Sequence, residues 1–259
     1  MIPTLVFDIE TIPDVESGRR LLGLDNEPDD VVLEAMLAQA KEATGTTFVK
    51  YHLHKIVAIS AVLRLGDQVK VWSLGTEQSS EAELIQRFFA GIDKYLPTLV
   101  SWNGTGFDLP VLHYRALYHG IPAARYWDTG EQDNSFKYNN YLNRYHMRHL
   151  DLMDTLAAYQ PKAYARLDDI AKMLGFPGKM GIDGSEVLAY YQRGELKTIR
   201  DYCDTDVLNT YLVYLRFQLM RGQLSPTDYE NEIILTKTLL HDSEEYHLQA
   251  FLEAWLEKE

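Results

Sequence analysis

The stretch T-L-V-F-D-I-E-T-I-P, Thr4 to Pro13, sets five apolar side chains around two acids. Its β-branched and aromatic content predicts a strand. Residues two apart on a strand project to the same face, so Asp8 and Glu10 point together while Phe7 and Ile9 point the other way. Two like charges side by side in a partly buried place are unfavourable unless a positive group shares the site. A hard divalent cation, Mg²⁺ or Mn²⁺, is the fitting partner because it takes oxygen ligands. The plainer alternative is an edge strand that leaves both acids in water.

Composition narrows the functional classes. The chain has 259 residues, enough for one large domain or one domain with a helical appendage. Its formal net charge of −13 argues against coating long nucleic acids through a broad cationic surface. It leaves room for an enzyme that grips a few nucleotides at one end. With one cysteine, Cys203, neither an intrachain disulfide nor a cysteine metal cage is possible. No apolar run approaches the ~20 residues that span a bilayer, and the N-terminus lacks a basic, cleavable leader. A cytoplasmic protein with no membrane partner is the expectation.

Periodicity organises the rest. His54 to Leu65 and Val69 to Leu74 read as strands joined by the turn Gly66-Asp67-Gln68. An insertion, about residues 14–50, separates them from the first strand. Its middle has helical spacing at Val32, Met36 and Leu37 after a cap at Asp29 or Asp30. Ser80 opens a helix to about Tyr95, Thr98 to Trp102 is a short strand, and a helix follows from about Leu109 to Tyr118. H-L-D-L-M-D, 149–154, reads as a fifth strand. From Leu167 onward the pattern is helical, the longest helix running from about Leu196 to Met220 and two more starting near Ser225 and Tyr246. The sum is a layered α/β fold closed by a helical C-terminal end, about 225–259, within a single domain spanning 1–259.

Two further stretches place acids where folding alone does not demand them. In S-W-N-G-T-G-F-D-L-P-V-L, Ser101 to Leu112, a strand runs through a glycine turn into a helix. Asp108 there is either the helix N-cap or an acid presented at the strand end, where α/β sheets bind ligands. Asn103 is open between a turn residue and a substrate contact. In D-Y-C-D-T-D-V-L-N-T-Y, Asp201 to Tyr211, the apolar stripe passes through Leu196, Ile199, Cys203, Val207, Thr210 and Tyr214. Asp206 falls inside that stripe and Tyr202 on its flank, four residues apart and hence neighbours. Asp204 falls well away from the stripe and reads as a solvated acid.

Asp-x-Glu on a strand, Asn-x-x-x-Phe-Asp at a strand-to-helix junction and Tyr-x-x-x-Asp on a late helix together resemble the DEDD superfamily of 3′–5′ exonucleases in its tyrosine-bearing form. The nearest likeness is to stand-alone exonucleases related to the proofreading domain of family B DNA polymerases. A-R-L-D-D-I-A-K-M-L-G from Ala165 and G-F-P-G-K-M-G-I-D-G-S-E-V from Gly175 look like that family too. The resemblance covers about Leu5 to Tyr214. It implies an RNase H-like mixed sheet flanked by helices, with Asp8, Glu10, Asp108 and Asp206 as ligands of two divalent cations, Mg²⁺ or Mn²⁺. Tyr202 would stand beside the attacking water. A phenol with an ordinary pKa of about 10 is a poor base at neutral pH, so the resemblance leaves Tyr202 to orient that water. The family's histidine alternative is excluded, since that position holds Asp201.

The implied activity is stepwise hydrolysis of phosphodiesters from the 3′ end of single-stranded DNA, with RNA as the alternative substrate. Thr11, beside the acid pair, is implied as a contact to the terminal nucleotide. Phe107 is open between a base platform and a core anchor, and Lys179 is a phosphate-contact candidate. Ser135 to His149 lacks acids and interleaves Lys137, Arg144 and Arg148 with Phe136, Tyr138, Tyr141 and Tyr145. That stretch is either a stacking track for a single strand or a loop pinned by its own aromatics. His146 and His149 read as packing or surface residues rather than metal ligands. A haloacid-dehalogenase-like phosphatase fits less well, because its Asp-x-Asp-x-Thr/Val pattern fails at Glu10 and Ile12. An inactive nucleic-acid-binding module is the non-enzymatic alternative.

Overall fold

The computed structural model describes residues 3–258. In chain order the elements are β1 (Thr4–Pro13), α1 (Val15–Leu22), α2 (Asp29–Thr44), β2 (His54–Leu65), β3 (Gln68–Ser73), α3 (Glu81–Tyr95), β4 (Thr98–Ser101) and α4 (Asp108–His119). Then come α5 (Ala124–Trp127), β5 (His149–Asp151), α6 (Leu152–Leu156), α7 (Leu167–Met173), α8 (Val187–Gln192), α9 (Leu196–Met220), α10 (Pro226–His241) and α11 (Tyr246–Leu256). The sheet order is β3-β2-β1-β4-β5, with β1, β4 and β5 parallel and β2 antiparallel to β1. This five-stranded mixed sheet with helices on both faces is the RNase H-like arrangement that the motifs imply.

β1 is the central strand, so the edge-strand alternative for Asp8 and Glu10 falls away. Its alternation works as expected. Leu5, Phe7 and Ile9 pack into a core with α3 and α4, while Val6 joins a second core with α9, α10 and α11. Asp8 and Glu10 share the parity of Val6 and therefore face α9. β4 runs beside β1 only from Thr4 to Val6, which leaves that edge of β1 open from Phe7 onward.

Several boundaries differ from the periodicity reading for identifiable reasons. The insertion holds two helices, because Val15–Leu22 is helical across Gly18. A Cβ there would stand 2.1 Å from Met36 Sδ of α2, so the glycine serves close helix packing. The second helix is preceded by Pro28 at the N-cap, and Asp29 and Asp30 occupy its first turn. β5 ends at Asp151, whose side chain caps α6 by accepting from the Asp154 N–H. The acid-free loop before β5 is pinned: Phe136 and Tyr141 are buried. Arg148 lies 4.0 Å over the Phe136 ring and donates to the Asn139 carbonyl. His149 is buried against Ser101, and His146 accepts from the Asn140 N–H.

The largest departure concerns α9. Cys203, Asp204, Thr205, Val207, Leu208 and Asn209 are consecutive or nearly so, and all are buried. The helix lies between the sheet and the α10–α11 pair, so it has no broad solvated face. Asp204 is accordingly buried, with its Oδ1 accepting from Ser60 Oγ (2.6 Å) and Ser73 Oγ (3.0 Å). The solvated-acid reading of Asp204 is corrected.

Candidate active site

Asp8, Glu10, Asp108, Tyr202 and Asp206 line one open cleft of about 370 Å³. Three elements deliver them: β1, the start of α4, and α9. Asn103 and Phe107 line the same cleft, as do Phe48, Tyr51 and Trp102.

The junction before α4 is shaped by its backbone. Asn103 adopts a left-handed conformation (φ 64°), which Asn tolerates better than most residues. Its carbonyl accepts from the Gly106 and Phe107 N–H groups. Gly104 is sterically required: a Cβ there would lie 2.3 Å from Ser101 Oγ and 2.6 Å from its Cβ, whereas one on Gly106 would meet only the movable Asn103 Oδ1 at 2.3 Å. The buried Asp151 carboxylate accepts from the Asn103 (3.0 Å) and Thr105 (2.9 Å) N–H groups and fastens the turn to β5. Asp108 is not the N-cap, a place taken by Phe107. Its Oδ1 instead accepts from the Ile9 N–H at 3.2 Å, on the edge of β1 that β4 leaves open.

The electrostatics follow from burial without compensation. Among the described residues, none of Asp8, Glu10, Asp108 and Asp206 forms an ion pair. Burial first, then the charges of Asp108, Glu10 and Asp206, push the Asp8 carboxyl well above the usual range. Burial followed by Asp206 and Asp108 does the same for Glu10, and Lys179 moderates it. Burial raises Asp108 to about 7 and Asp206 to about 6, the latter tempered by the Tyr202 hydroxyl. Tyr202 is itself raised, by burial and then by the Asp206 charge, so its phenol keeps its proton. Cys203 Sγ lies 3.5 Å from the Asp8 carbonyl and 3.5 Å from Asp8 Oδ2. Burial also raises that thiol, which makes it a weak donor to Asp8 rather than a thiolate. The available donors are thus carboxylate oxygens, a set suited to hard divalent cations.

Two residues anticipated as substrate contacts are outside the cleft lining. Thr11 is absent from the cleft lining, and its Oγ1 sits 2.8 Å from His54 Nδ1. His54 Nε2 faces the Val49 carbonyl at 3.1 Å and must donate to it, so Nδ1 accepts from Thr11. Lys179 lies beside the cleft, in a recess shared with Arg166, Asp168, Asp206 and Asn209. Its Nζ pairs with Asp183 at 2.8 Å and stands 5.4 Å from the Tyr202 ring centre. Asn209 of α9 holds this segment by bonding both backbone groups of Gly178.

Phe48 and Tyr51 went unread in the sequence. At the end of the insertion, Phe48 packs tilted against His54 and Phe107 and Tyr51 meets Phe107 edge-on; they are 53% and 40% exposed. The spacing Phe-x-x-Tyr was visible, but which way it faces depends on how the insertion folds back. The acid-free loop contributes nothing to the cleft lining. A larger hollow, about 910 Å³, lies beside Arg115. The Arg115 guanidinium there is already neutralised by Glu81 and Asp14, and none of the four cleft acids lines that hollow.

Comparison with known proteins gives the family. Residues 46–255 match the family described as predicted 3′–5′ exonucleases related to the exonuclease domain of PolB. The chain belongs to this family. This exonuclease is also similar to a DNA polymerase of Archaeoglobus fulgidus, 27% identical over 148 residues, 56% of this chain and 18% of that one. It resembles the catalytic subunit of DNA polymerase epsilon from Dictyostelium discoideum, 24% identical over 143 residues (54% and 6% of the two chains). The corresponding polymerase epsilon protein of Emericella nidulans is 26% identical over 145 residues, 54% of this chain and 6% of that one. The exonuclease thus spans less than a fifth of the length of these relatives. Asp8 and Glu10 precede the matched family region, and the fold brings them to Asp108 and Asp206, which lie within it. Among the described residues, no helix is long and apolar enough to cross a membrane.

Proposed function

We propose that this exonuclease removes nucleotides from the 3′ end of single-stranded DNA and releases nucleoside 5′-monophosphates. Asp8, Glu10, Asp108 and Asp206 would hold two divalent cations, Mg²⁺ or Mn²⁺, as in the tyrosine-bearing DEDD subtype. The observation that carries this reading is the meeting of four carboxylates, none in an ion pair among the described residues, and Tyr202 in one cleft. Bound there, the cations would supply an acidified water and positive charge opposite the leaving 3′ oxygen.

The protein's own groups do the positioning. Asp108 is fixed by the Ile9 N–H and Asp8 by Cys203, so both carboxylates keep their direction before substrate arrives. Tyr202 stays a phenol and bonds Asp206, which leaves its oxygen to orient a water on that side of the cleft rather than deprotonate it. Lys179 lends positive charge behind Glu10 and Asp206. Phe48, Tyr51, Trp102 and Phe107 offer faces for the terminal base and its neighbour, and stacking grips a single strand without a basic surface. The polymerase relatives favour DNA over RNA. Residues 1–259 are read as one exonuclease domain, supported by the core that α9 shares with α10 and α11. The lone buried Cys203 suits a reducing cytoplasm.

The test is a time course on 5′-labelled single-stranded DNA and RNA with Mg²⁺, Mn²⁺ or EDTA. A one-nucleotide ladder shortening from the 3′ end, faster on DNA and absent in Asp8→Ala, is expected. Internal cuts, or full activity in EDTA, would overturn the reading.

A further inference from the structure

We propose that Asp201, Glu245 and His247 form a separate cation site that takes Zn²⁺ and fastens α11 to α9. Asp201 sits on α9, Glu245 at the N-cap of α11 and His247 in its first turn. The ligand atoms of the three residues lie within 4.8 Å of one another.

The histidine carries the assignment. His247 Nε2 lies 3.2 Å from Asp204 Oδ2, and Asp204 is held in turn by Ser60 and Ser73. With Nε2 donating to the Asp204 carboxylate, a neutral ring would present its Nδ1 lone pair to a metal ion. That Nδ1 is enclosed and, among the described residues, has no hydrogen-bond partner. The side chain is only 12% exposed. Nδ1 faces Asp201 Oδ1 at 3.3 Å and Glu245 Oε2 at 3.9 Å. At these distances Nδ1 is near two carboxylate oxygens without being hydrogen-bonded to either, a grouping that a cation held between the three would satisfy.

The spacing suits a tetrahedral ion. Ligands about 2.0–2.1 Å from Zn²⁺ stand roughly 3.3 Å apart along a tetrahedral edge. The Asp201–His247 separation of 3.3 Å already has that value, and Glu245 is 59% exposed and able to close the remainder. Lys197 shows that the cluster draws positive charge. Its Nζ lies 2.8 and 2.9 Å from the two Asp201 oxygens and 3.4 Å from Glu245. This ammonium is 58% exposed on a flexible stem, and it swings aside when the ion binds. One ammonium meets the two carboxylates of Asp201 and Glu245. An imidazole ligand separates this site from the all-oxygen cleft, which favours Mg²⁺ or Mn²⁺.

The test needs no nuclease assay and so stands or falls apart from the proposed activity. The 259-residue protein, stripped with chelator, is titrated with ZnCl₂ by calorimetry, in wild type and in an Asp8→Asn/Glu10→Gln background that disables the cleft. One Zn²⁺ is expected to persist in that background, and the His247 Nδ1 resonance to move with Zn²⁺ but not with Mg²⁺. Loss of an outer partner of a metal site costs about 10–100-fold in affinity, so losing the ligand Glu245 should cost at least as much. Glu245→Gln is solvent-exposed and should leave metal-free thermal unfolding unchanged. His247→Gln should abolish the binding, and if it fails to fold, Glu245→Gln decides. Equal Zn²⁺ affinity in Glu245→Gln and wild type would overturn the proposal. So would no Zn²⁺ binding in the cleft-disabled background, or a His247 ring that carries both protons in the presence of Zn²⁺.

Discussion

Replacing Asp108 by Asn should stabilise the metal-free protein at alkaline pH. Asn keeps an oxygen to accept the Ile9 N–H, so the backbone contact at 3.2 Å survives while the charge is removed. Burial lifts the Asp108 carboxyl from 3.8 to about 7. The native state therefore binds more protons than the unfolded chain between about pH 4 and 7, and stability falls as pH rises through that window. Above pH 7 the penalty is complete and amounts to about 4 kcal/mol. Removing it at pH 8 should raise the melting temperature by roughly 10 °C in a chain of this size. At pH 5 most of the penalty is absent, and the gap should shrink to about 2 kcal/mol. The assay is thermal or urea unfolding of both proteins in EDTA at pH 5 and pH 8. Saturating Mn²⁺ should reverse the order, because an ion that binds only the folded wild type stabilises it by mass action. A variant no more stable than wild type at pH 8, or equally favoured at both pH values, would refute the electrostatic reasoning.

Three further outcomes are expected. Tyr202→Phe should lower kcat about 100-fold through a misplaced water while calorimetric Mn²⁺ affinity holds; a matching loss of affinity would make Tyr202 part of the metal site. Phe48→Ala should raise KM on single-stranded oligonucleotides about tenfold with kcat little changed, since base–aromatic stacking is worth about 1–3 kcal/mol. An unchanged KM would move base recognition away from the insertion. Glu232→Ala strands the buried Arg64 guanidinium, which Glu232 meets at 2.7 Å, and should cost about 3–5 kcal/mol in denaturant unfolding; an unchanged midpoint would mean that Arg64 reaches water.

The sequence told most about segments whose neighbours are local. The parity of β1 placed Asp8 and Glu10 on one face, and the same parity puts Thr11 on the other, where His54 takes its hydroxyl. Asp206 and Tyr202 were legible as helix neighbours. Asp204 was not, because one apolar stripe presumes one covered face, whereas α9 is enclosed by strands on one side and by α10 and α11 on the other. Gly18 hid α1 because helix propensity counts glycine as a cost and cannot see Met36 filling the space. Phe48 and Tyr51 were invisible for a related reason: their orientation is decided by a fold-back that no local pattern encodes.

The final two helices carry no catalytic motif, yet they are the rear wall against which the site is mounted. Arg64 leaves β2, the strand whose Ser60 is paired with Asp8, and its guanidinium is clasped by Glu232 of α10, which Tyr211 of α9 also reaches. A blow to that clasp reaches α9, which carries Asp206, and β2, which pairs with the strand of Asp8 and Glu10. Damage to this enzyme can therefore begin far from any residue that would touch a nucleotide. A survey of variants ranked by distance from the cleft would pass over the positions on which its alignment depends.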